Sequence, residues 1–481
     1  MPRGNGRLEW RGAFRRWGAL ALVAVLAAAC AGPGAQSTTT AEPDEPEETP
    51  TTVSDATETT SQDSSSSTTE VLAEGPSCGT DEVVLNAYFE TGFDLPFELA
   101  EEFSNQFPNV TWDIKQDQFT NLMNATPRLL SGDNPPDLIR LPSMVSLVHD
   151  GLLKNLDDYA TAFGWDEWPQ SQLLQNRVAE DGTRGSGSLY AMGLNHSLTG
   201  VFYNKELAAQ VGMTEPPATV EEFDALLAAA KEQGLQPIMA WNATASGGGL
   251  AFPLQHLMAA YGPIEPINEW IFQKPGANIN TESNLAAAEH LQRWIEAGYF
   301  PEDVNAIEYT DANARFRAGE GVFIFNGDWE NAVYDSEMGD NVGFFLFPPL
   351  EEGGQVAAMS APLTFGIATN APNADCAAFF FNWVATNEVA RQINVDVGGS
   401  NPGGPADLPI PPAAAPITNE TLAAGAEVAK ANGQMDFIAN ATGAIFAEGW
   451  TPELQEMVGG LQDAAGLLEA VQAEYENQLG R

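Results

Sequence analysis

From residue 78 onward, segments with the pattern of buried β-strands alternate with segments that have the pattern of amphipathic helices. The stretch EVVLNAYF predicts a strand, LPFELAEEFSNQFPN predicts a helix that ends near Pro108, and VTWDIKQ predicts a second strand. Farther along, Thr219 and Glu222 form a capping-box pattern at the start of another helix, and Gly234 follows its last turn. This alternation indicates an α/β fold with a largely parallel sheet.

The first 30 residues have a different character. Five arginines precede the run WGALALVAVLAAAC, which is short for a membrane span and typical of a secretory signal. The run ends at Cys30 after three alanines and resembles a bacterial lipobox, although Ala27 stands where an aliphatic residue is usual. We therefore expect residues 1–29 to be a lipoprotein signal peptide and Cys30 to carry lipid. An ordinary cleaved signal is the alternative, and the export route, Sec or Tat, stays open.

Residues 30–77 are expected to form a disordered, acidic Ser/Thr/Pro tether on this lipid anchor. The segment 31–77 has no Lys or Arg and almost no large apolar side chain, so it cannot bury enough surface to offset the entropy lost on ordering. A flexible chain of this length spans roughly 40 Å. The expected location is the extracytoplasmic face of the cell membrane.

The charge balance limits the classes of partner. The chain has 20 Lys and Arg against 66 Asp and Glu, a formal net charge of −46. Nucleic acid and anionic membrane surfaces need basic side chains on the protein, so both are poor partners. The acidity indicates a soluble surface rather than a particular ligand.

Two cysteines remain after Cys30, namely Cys78 and Cys376. An even number of cysteines in an oxidising exterior makes a disulfide between them plausible, with two unpaired thiols as the alternative.

No motif in the sequence indicates catalysis. Nucleophile-elbow, Walker and dinucleotide-binding patterns are missing from the sequence, and the four histidines lack the spacing of a zinc site. Acidic residues are so abundant that a close carboxylate pair, as in glycosidases, carries little weight. We expect no enzyme activity, no cofactor and no metal.

Three stretches resemble, in order and spacing, hallmarks of the family 1 extracellular solute-binding proteins, the sugar-binding family that includes the maltodextrin-binding protein. The stretches are LLSGDNPPDLIRLPSMVSLVHDGLLKNLDDY, LYAMGLNHSLTGVFYNKELAAQVGMTEPPATVEEFDALLAAAKEQGLQPI and ARFRAGEGVFIFNGDWEN. The resemblance covers about residues 78–481.

The resemblance implies two α/β lobes joined by a hinge, with the ligand in the cleft between them. Lobe one would comprise residues 78–195 and 359–420, and lobe two residues 200–358 and 421–481. Both Cys78 and Cys376 then fall in lobe one, which is compatible with a disulfide. Closure of the cleft would present the loaded form, expected to be a monomer, to an ABC permease in the membrane.

Candidate ligand residues follow from the same resemblance, because ligands of α/β lobes lie beyond the carboxyl ends of strands. The candidates at strand ends and crossovers are Glu90, Asp117, Arg140, Asn195, His196, Trp241, Asn326, Asp328, Trp329 and Ser360. Trp329 matches the family position where an aromatic ring stacks on sugar, and a core tryptophan is the alternative. The remaining candidates could instead be caps or solvated loop residues.

The sequence therefore predicts a lipid-anchored carbohydrate-binding protein that delivers a sugar or oligosaccharide to an ABC importer. One alternative is the same fold with a non-sugar solute, such as a polyol, a phosphodiester or a cationic compound. A surface glycoside hydrolase is the other alternative, and hydrolysis of oligosaccharides would distinguish it.

Overall fold

The computed structural model describes residues 75–141 and 143–480. The expected signal peptide, the lipidation site Cys30 and nearly all of the expected tether lie outside these residues. No helix in the described part of the chain has the length and apolar character needed to cross a membrane.

Strands and helices alternate along the chain, as the sequence predicts. The strands are β1 Val83–Glu90, β2 Val110–Asp117, β3 Leu138–Arg140, β4 Arg177–Val178, β5 Ser188–Leu189, β6 Ala191–Asn204, β7 Ile238–Met239, β8 Phe323–Gly327, β9 Val342–Phe345, β10 Ala358–Gly366 and β11 Gln434–Met435. The helices are α1 Leu95–Gln106, α2 Phe119–Leu130, α3 Val145–His149, α4 Asp157–Phe163, α5 Gln170–Leu174, α6 Lys205–Gln210, α7 Val220–Glu232, α8 Ala251–Tyr261, α9 Glu265–Ile271, α10 Glu282–Glu296, α11 Tyr309–Arg317, α12 Asn331–Met338, α13 Ala374–Thr386, α14 Glu388–Asp396, α15 Pro416–Ala431, α16 Thr451–Val458 and α17 Ala464–Gln478.

The capping box predicted for α7 is present. The Thr219 side chain accepts a hydrogen bond from the Glu222 backbone N–H at 3.2 Å. The Glu222 carboxylate accepts from the backbone N–H of Ala218, one residue before the cap, rather than from Thr219 itself. Both contacts satisfy donors that a free helix terminus would leave unpaired. Gly234 follows the helix with φ of +74°, a conformation that favours glycine.

One half of the main sheet is built on the early strands. β1 pairs in parallel with β2 and β3, and β10 runs antiparallel to β3. The first part of β6 pairs antiparallel with the last part of β10, which gives the strand order β2-β1-β3-β10-β6. The carboxyl ends of β1 and β3 therefore lie side by side, at Glu90 and Arg140.

The other half of the sheet is built on the later part of β6. That part pairs antiparallel with both β8 and β9, and β7 joins β8 in parallel. The first residues of β10 pair with β11. Because β6 and β10 are long enough to take part in both halves, they connect them without a break.

The two largest groups of buried apolar residues among the described residues define two lobes, and a third, smaller group lies around α2, β3 and α3. The first lobe is built on core residues from Cys78 to Leu194 and from Leu363 to Ala390. The second lobe is built on core residues from Leu198 to Ala358 and from Ile417 to Tyr475. The predicted two-lobed α/β fold is thus present, while the residue-level boundaries between the lobes remain a proposal. The expectation of a largely parallel sheet is wrong, because β6 runs antiparallel to β8, β9 and β10, and β10 runs antiparallel to β3.

Three chain segments cross between the lobes and form the hinge. The first two are the middle parts of β6 and β10, where the pairing register shifts between Pro362 and Thr364. The third is the segment 397–415, which links α14 to α15 and contacts β6 through a bridge between Asn401 and His196. Arg391, on α14, donates to the carbonyls of Ala385 and Gly403 and so fixes the path of the third segment.

The Sγ atoms of Cys78 and Cys376 lie at disulfide-bonding distance in the first lobe, with Cα atoms 4.2 Å apart. The two positions are 298 residues apart in sequence. The bond would join the start of the described chain to helix α13.

Candidate functional site

The cleft between the lobes contains Trp329, which follows directly from strand β8. β8 is fully buried and ends at Gly327, two residues beyond the apolar run 322–325 of the sequence. A Cβ atom on Gly327 would collide with the indole ring of Trp329, so only glycine allows the ring to fold back over the strand end. The Trp329 Nε1–H donates to the Tyr309 hydroxyl at 2.8 Å, and Tyr309 in turn donates to the Glu330 carboxylate.

Trp329 belongs to a row of aromatic side chains on the second lobe, which we call the aromatic face. Ring centroids of neighbouring members are 6.3 Å apart for Trp329 and Phe252, 4.9 Å for Phe252 and Phe437, and 5.4 Å for Phe437 and Phe446. Trp329 and Phe437 are half-buried, while Phe252 and Phe446 are 8% and 6% exposed. The members come from four separate segments of the chain, and the fold alone brings them together.

Two aromatic side chains of the first lobe face this row across the cleft. Phe93, in the turn after β1, has its ring centroid 6.5 Å from that of Trp329. Phe119, at the start of α2, lies 6.4 Å from Phe446. The cleft therefore has aromatic surfaces on both walls, which suits a ligand with apolar faces.

Trp241 lies behind the aromatic face rather than in it. Its side chain is 3% exposed and packs against Phe252 at 5.3 Å and Tyr309 at 4.8 Å. A Cβ on Gly249 would collide with its ring, so the backbone closes over it. Trp241 thus supports the rings of Phe252 and Tyr309.

A group of four charged side chains, which we call the charged cluster, lies at the end of the aromatic face. Its members are Glu90, Arg140 and Arg184 of the first lobe and Asp436 of the second. Arg140 Nε lies 3.3 Å from Glu90 Oε2, at ion-pair distance but without the alignment of a hydrogen bond. Burial raises the pKa of Glu90, and the guanidinium of Arg140 opposes that rise.

Between these charges lies a small cavity, lined from both lobes. Gln175, Arg184 and Thr364 come from the first lobe, and Asp436 and Asn440 from the second. The Nε atoms of Arg140 and Arg184 and the Oε1 atom of Gln175 are buried without a hydrogen-bond partner. Buried polar atoms of this kind are normally satisfied, so both donors and acceptors are free for a polar group in the cleft.

Asp117, at the end of β2, pairs in register with Glu90 of the charged cluster, but the contacts of its side chain are local. Its carboxylate accepts from its neighbour Gln118 N–H and from the Asn121 side chain at the start of α2. These contacts are those of a helix-start residue.

Four of the predicted residues lie at the hinge. Asn195 is 3% exposed, and Ser360 accepts through its backbone carbonyl from Gln175. The backbone N–H of His196 donates to Asn401 of the third crossing segment, and burial lowers the pKa of the His196 imidazole to about 4. Asp328, directly after β8, is 2% exposed.

Asp328 holds hinge segments together. Its carboxyl group contacts the Ser400 hydroxyl and the backbone N–H of Leu198, and burial raises its pKa well above the usual range. Leu198 belongs to the first crossing segment and Ser400 to the third. The carboxyl group therefore faces the hinge, where its Oδ1 atom is buried without a hydrogen-bond partner.

Asn326 lies in the core of the second lobe. It is fully buried, and its amide donates to Asn313 and to the Tyr334 hydroxyl. Both amide hydrogens of Asn326 are therefore used within the core, and neither is free for a ligand.

The structure adds residues that the sequence reasoning missed. Those facing the cleft are Phe93, Phe119, Phe252, Phe437, Phe446, Arg184 and Asp436. Phe93 and Phe119 directly follow predicted strands and could have been found by the rule that selected Glu90 and Asp117. The others lie on helix starts and loops that carry no strand-end signal. Among the described residues, no group of three or more His, Cys, Asp or Glu is placed to hold a metal.

Solved structures with the same fold include two that are named for a sugar ligand. A chitin oligosaccharide binding protein is 20% identical, with a TM-score of 0.67 over 83% of this chain and 100% of its own. A maltose-bound protein of T. maritima is 17% identical, with a TM-score of 0.65 over 82% of this chain and 99% of its own. A family 1 extracellular solute-binding protein from Bifidobacterium longum subsp. infantis is 17% identical, with a TM-score of 0.59 over 82% and 100%.

No match is found among curated protein sequences. The model of the family described as bacterial extracellular solute-binding protein matches residues 95–391, which is more than half of the 481-residue chain. This matched range includes both long crossing strands, β6 and β10, and strand β8 with Trp329. The chain therefore belongs to the bacterial extracellular solute-binding proteins.

Proposed function

We propose that this protein is a lipid-anchored, extracytoplasmic carbohydrate-binding protein that delivers a sugar or oligosaccharide to an ABC importer. The observation that carries the proposal is the aromatic face in the cleft, with Phe93 and Phe119 opposite. Sugar rings present flat C–H faces, and aromatic rings bind such faces well. The similar proteins named for chitin oligosaccharide and maltose support the same ligand class.

The polar end of the cleft supports a neutral, hydroxyl-rich ligand. The charged cluster contains two arginines and two carboxylates, so its formal charges balance. A hydroxyl group both donates and accepts, and it matches the two atoms without hydrogen-bond partners on the proposed ligand residues, Gln175 Oε1, which accepts, and Arg140 Nε, which donates. A phosphodiester would need an excess of basic side chains, which this cluster lacks.

The proposed ligand-binding residues are therefore Trp329, Phe252, Phe437, Phe93, Glu90, Arg140 and Gln175. Three other predicted residues are left out of this set. Trp241 packs behind the aromatic face, Asp328 faces the hinge, and Asn326 lies in the core of the second lobe. Asp117, Asn195, His196 and Ser360 lie at its edge or at the hinge and remain predictions.

The attachment to the membrane is proposed from the sequence. The lipobox-like end at Cys30 and the acidic segment after it would place the two-lobed body on a lipid anchor near a permease. More than one acyl chain is needed for stable anchoring. In that oxidising location we propose that Cys78 and Cys376 are bonded, as their positions in the first lobe allow.

The ligand class is tested by a thermal-shift screen of the pure protein against a carbohydrate library, followed by calorimetry. A tight ligand raises the unfolding midpoint by mass action. Trp329→Ala should weaken binding of the best sugar at least about tenfold, because a buried aromatic contributes roughly 1–3 kcal/mol. Trp329→Phe is the matched control, since it keeps a ring on the aromatic face and should lose less.

Two results would contradict the proposal. Unchanged affinity in Trp329→Ala would remove the aromatic face from the site. Sustained hydrolysis of an oligosaccharide by the pure protein would replace the binding function with a glycoside hydrolase, whereas a binding protein returns the sugar intact.

A further inference from the structure

One ion pair of the charged cluster joins the two lobes directly. Arg184 Nη2 lies 2.7 Å from Asp436 Oδ2, and the two side chains are only 7% and 1% exposed. Arg184 belongs to the turn between β4 and β5, and Asp436 directly follows β11 in the second lobe. A pair so thoroughly removed from water differs from surface ion pairs, which contribute little.

The Arg184 side chain also donates hydrogen bonds to backbone carbonyls of both lobes. On its own lobe, Nη2 donates to the Gln175 carbonyl at 2.8 Å. Across the cleft, Nη1 donates to the Asn440 carbonyl at 3.3 Å, and the guanidinium lies 5.2 Å from the centre of the Phe272 ring. The backbone N–H of Arg184 also donates to the Phe272 carbonyl at 2.9 Å.

Asp436 is positioned by its own lobe so that one oxygen faces Arg184. Its Oδ1 atom accepts from the Phe437 backbone N–H at 2.7 Å and from the Asn440 side chain at 2.8 Å. Its backbone is fixed by Asn268 and Gln255. The Oδ2 atom of Asp436 thus points across the cleft and contacts Arg184 directly, without a ligand between them.

We infer that Arg184 and Asp436 form a latch that sets the fraction of molecules with the cleft closed. They are positioning residues, which act on ligand affinity through closure. Opening the cleft would separate the pair and return both charges to water, while closing it without one partner would leave the other charge buried and unpaired. Because the apparent dissociation constant is the intrinsic one divided by the closed fraction, the latch raises affinity for any ligand of the closed form.

The latch has a direct readout that does not depend on the ligand. Spin labels at Glu180 and Lys274, exposed positions on either side of the pair, report the distance across the latch in the full-length chain with Cys30→Ser. In the sugar-free protein we expect a short-distance population, which Arg184→Met and Asp436→Asn convert to longer distances. The charge-exchanged double variant, Arg184→Asp with Asp436→Arg, should restore part of the short population.

Arg177→Met is the matched control. Arg177 lies at the start of the same β-hairpin and pairs with Asp157 and Asp166 within the first lobe, at 3.6 and 3.4 Å. Its loss should leave the distance across the latch unchanged. Circular dichroism of each variant establishes that it has folded, and Arg184→Lys, which keeps the charge, provides a milder second variant.

The inference rests on the proposed function only for its effect on sugar affinity. There, Arg184→Met should weaken binding at least about tenfold, in proportion to the lost closed fraction. A sugar-free wild type with only long distances, or an Arg184→Met variant with the wild-type distance distribution, would overturn the latch. If no sugar binds while the distances respond as expected, the proposed ligand class fails and the latch stands.

Discussion

Replacing Asp328 by asparagine should stabilise the protein, and the gain should grow as the pH rises. Asp328 is 2% exposed, and the groups that act on its pKa are hydrogen-bond donors rather than cations. The Ser400 hydroxyl, one of these groups, donates to the Gly398 carbonyl at 2.9 Å. Since Ser400 has a single proton, a protonated Asp328 carboxyl completes the chain by donating to the Ser400 oxygen.

The sign follows from the raised pKa. In the unfolded chain the carboxyl ionises near its ordinary pKa of 3.8, whereas burial keeps it protonated to a higher pH in the folded protein. Between these two pKa values the folded state binds more protons than the unfolded state, so stability falls as the pH rises. Each pH unit in this window costs about 1.4 kcal/mol of unfolding free energy.

An asparagine at position 328 keeps the geometry without the titration. Its carbonyl oxygen can accept from the Leu198 N–H, and its amide can donate to Ser400. Urea unfolding at pH 4.5, 5.5 and 6.5 measures the difference in unfolding free energy between the variant and the wild type. That difference should increase with pH by up to about 1.4 kcal/mol per unit until the folded-state pKa is reached.

Asp113→Asn is the control, because this carboxylate lies on β2 and its side chain is 55% exposed. The control measures the effect of the same substitution at an exposed position. A difference for Asp328→Asn that stays constant with pH would refute the reasoning, since it would mean that the buried carboxyl has the same pKa in the folded and unfolded chains.

Two further predictions concern Gly327 and His256. Gly327→Ala should weaken sugar binding at least about tenfold in calorimetry, because the new Cβ displaces the Trp329 ring. The displacement breaks the hydrogen bond from Trp329 to Tyr309, which contributes roughly 1 kcal/mol by itself. Wild-type affinity in this variant would show that the ring position does not affect binding. Burial lowers the pKa of His256 to about 4, below its ordinary 6.5. The unfolding free energy that this shift contributes is complete above pH 6.5 and is lost as the pH falls toward 4. The total loss is about 3 kcal/mol. His256→Gln should lack this loss in urea unfolding between pH 7 and 4.5, and equal losses in both proteins would contradict the assignment.

The local elements could be predicted from the sequence because their causes are local. The capping residue Thr219, the stop at Gly234 and the apolar run that becomes β8 each depend on neighbours within a few positions. The order of strands and helices, and with it the family resemblance, follows from such local patterns.

The candidate site was predicted only in part, because strand-end position does not determine which way a side chain points. Trp241 and Trp329 both follow strands, yet one is 3% exposed behind the aromatic face and the other is half-buried in the cleft. Asn326 lies near the end of β8, and Asp328 follows this strand just before Trp329. The Asp328 carboxyl group faces the hinge, and the Asn326 amide is used in the core of the second lobe.

The sequence by itself determined the α/β alternation and the two-lobed family pattern, and it predicted Trp329 as a ligand residue. Only the tertiary structure decided which groups meet across that cleft. Arg184 and Asp436 are 252 positions apart and follow no shared local pattern, yet their side chains are 2.7 Å apart. The physical reason is that burial and charge pairing depend on how separate lobes pack, and periodicity along the chain carries no information about that distance.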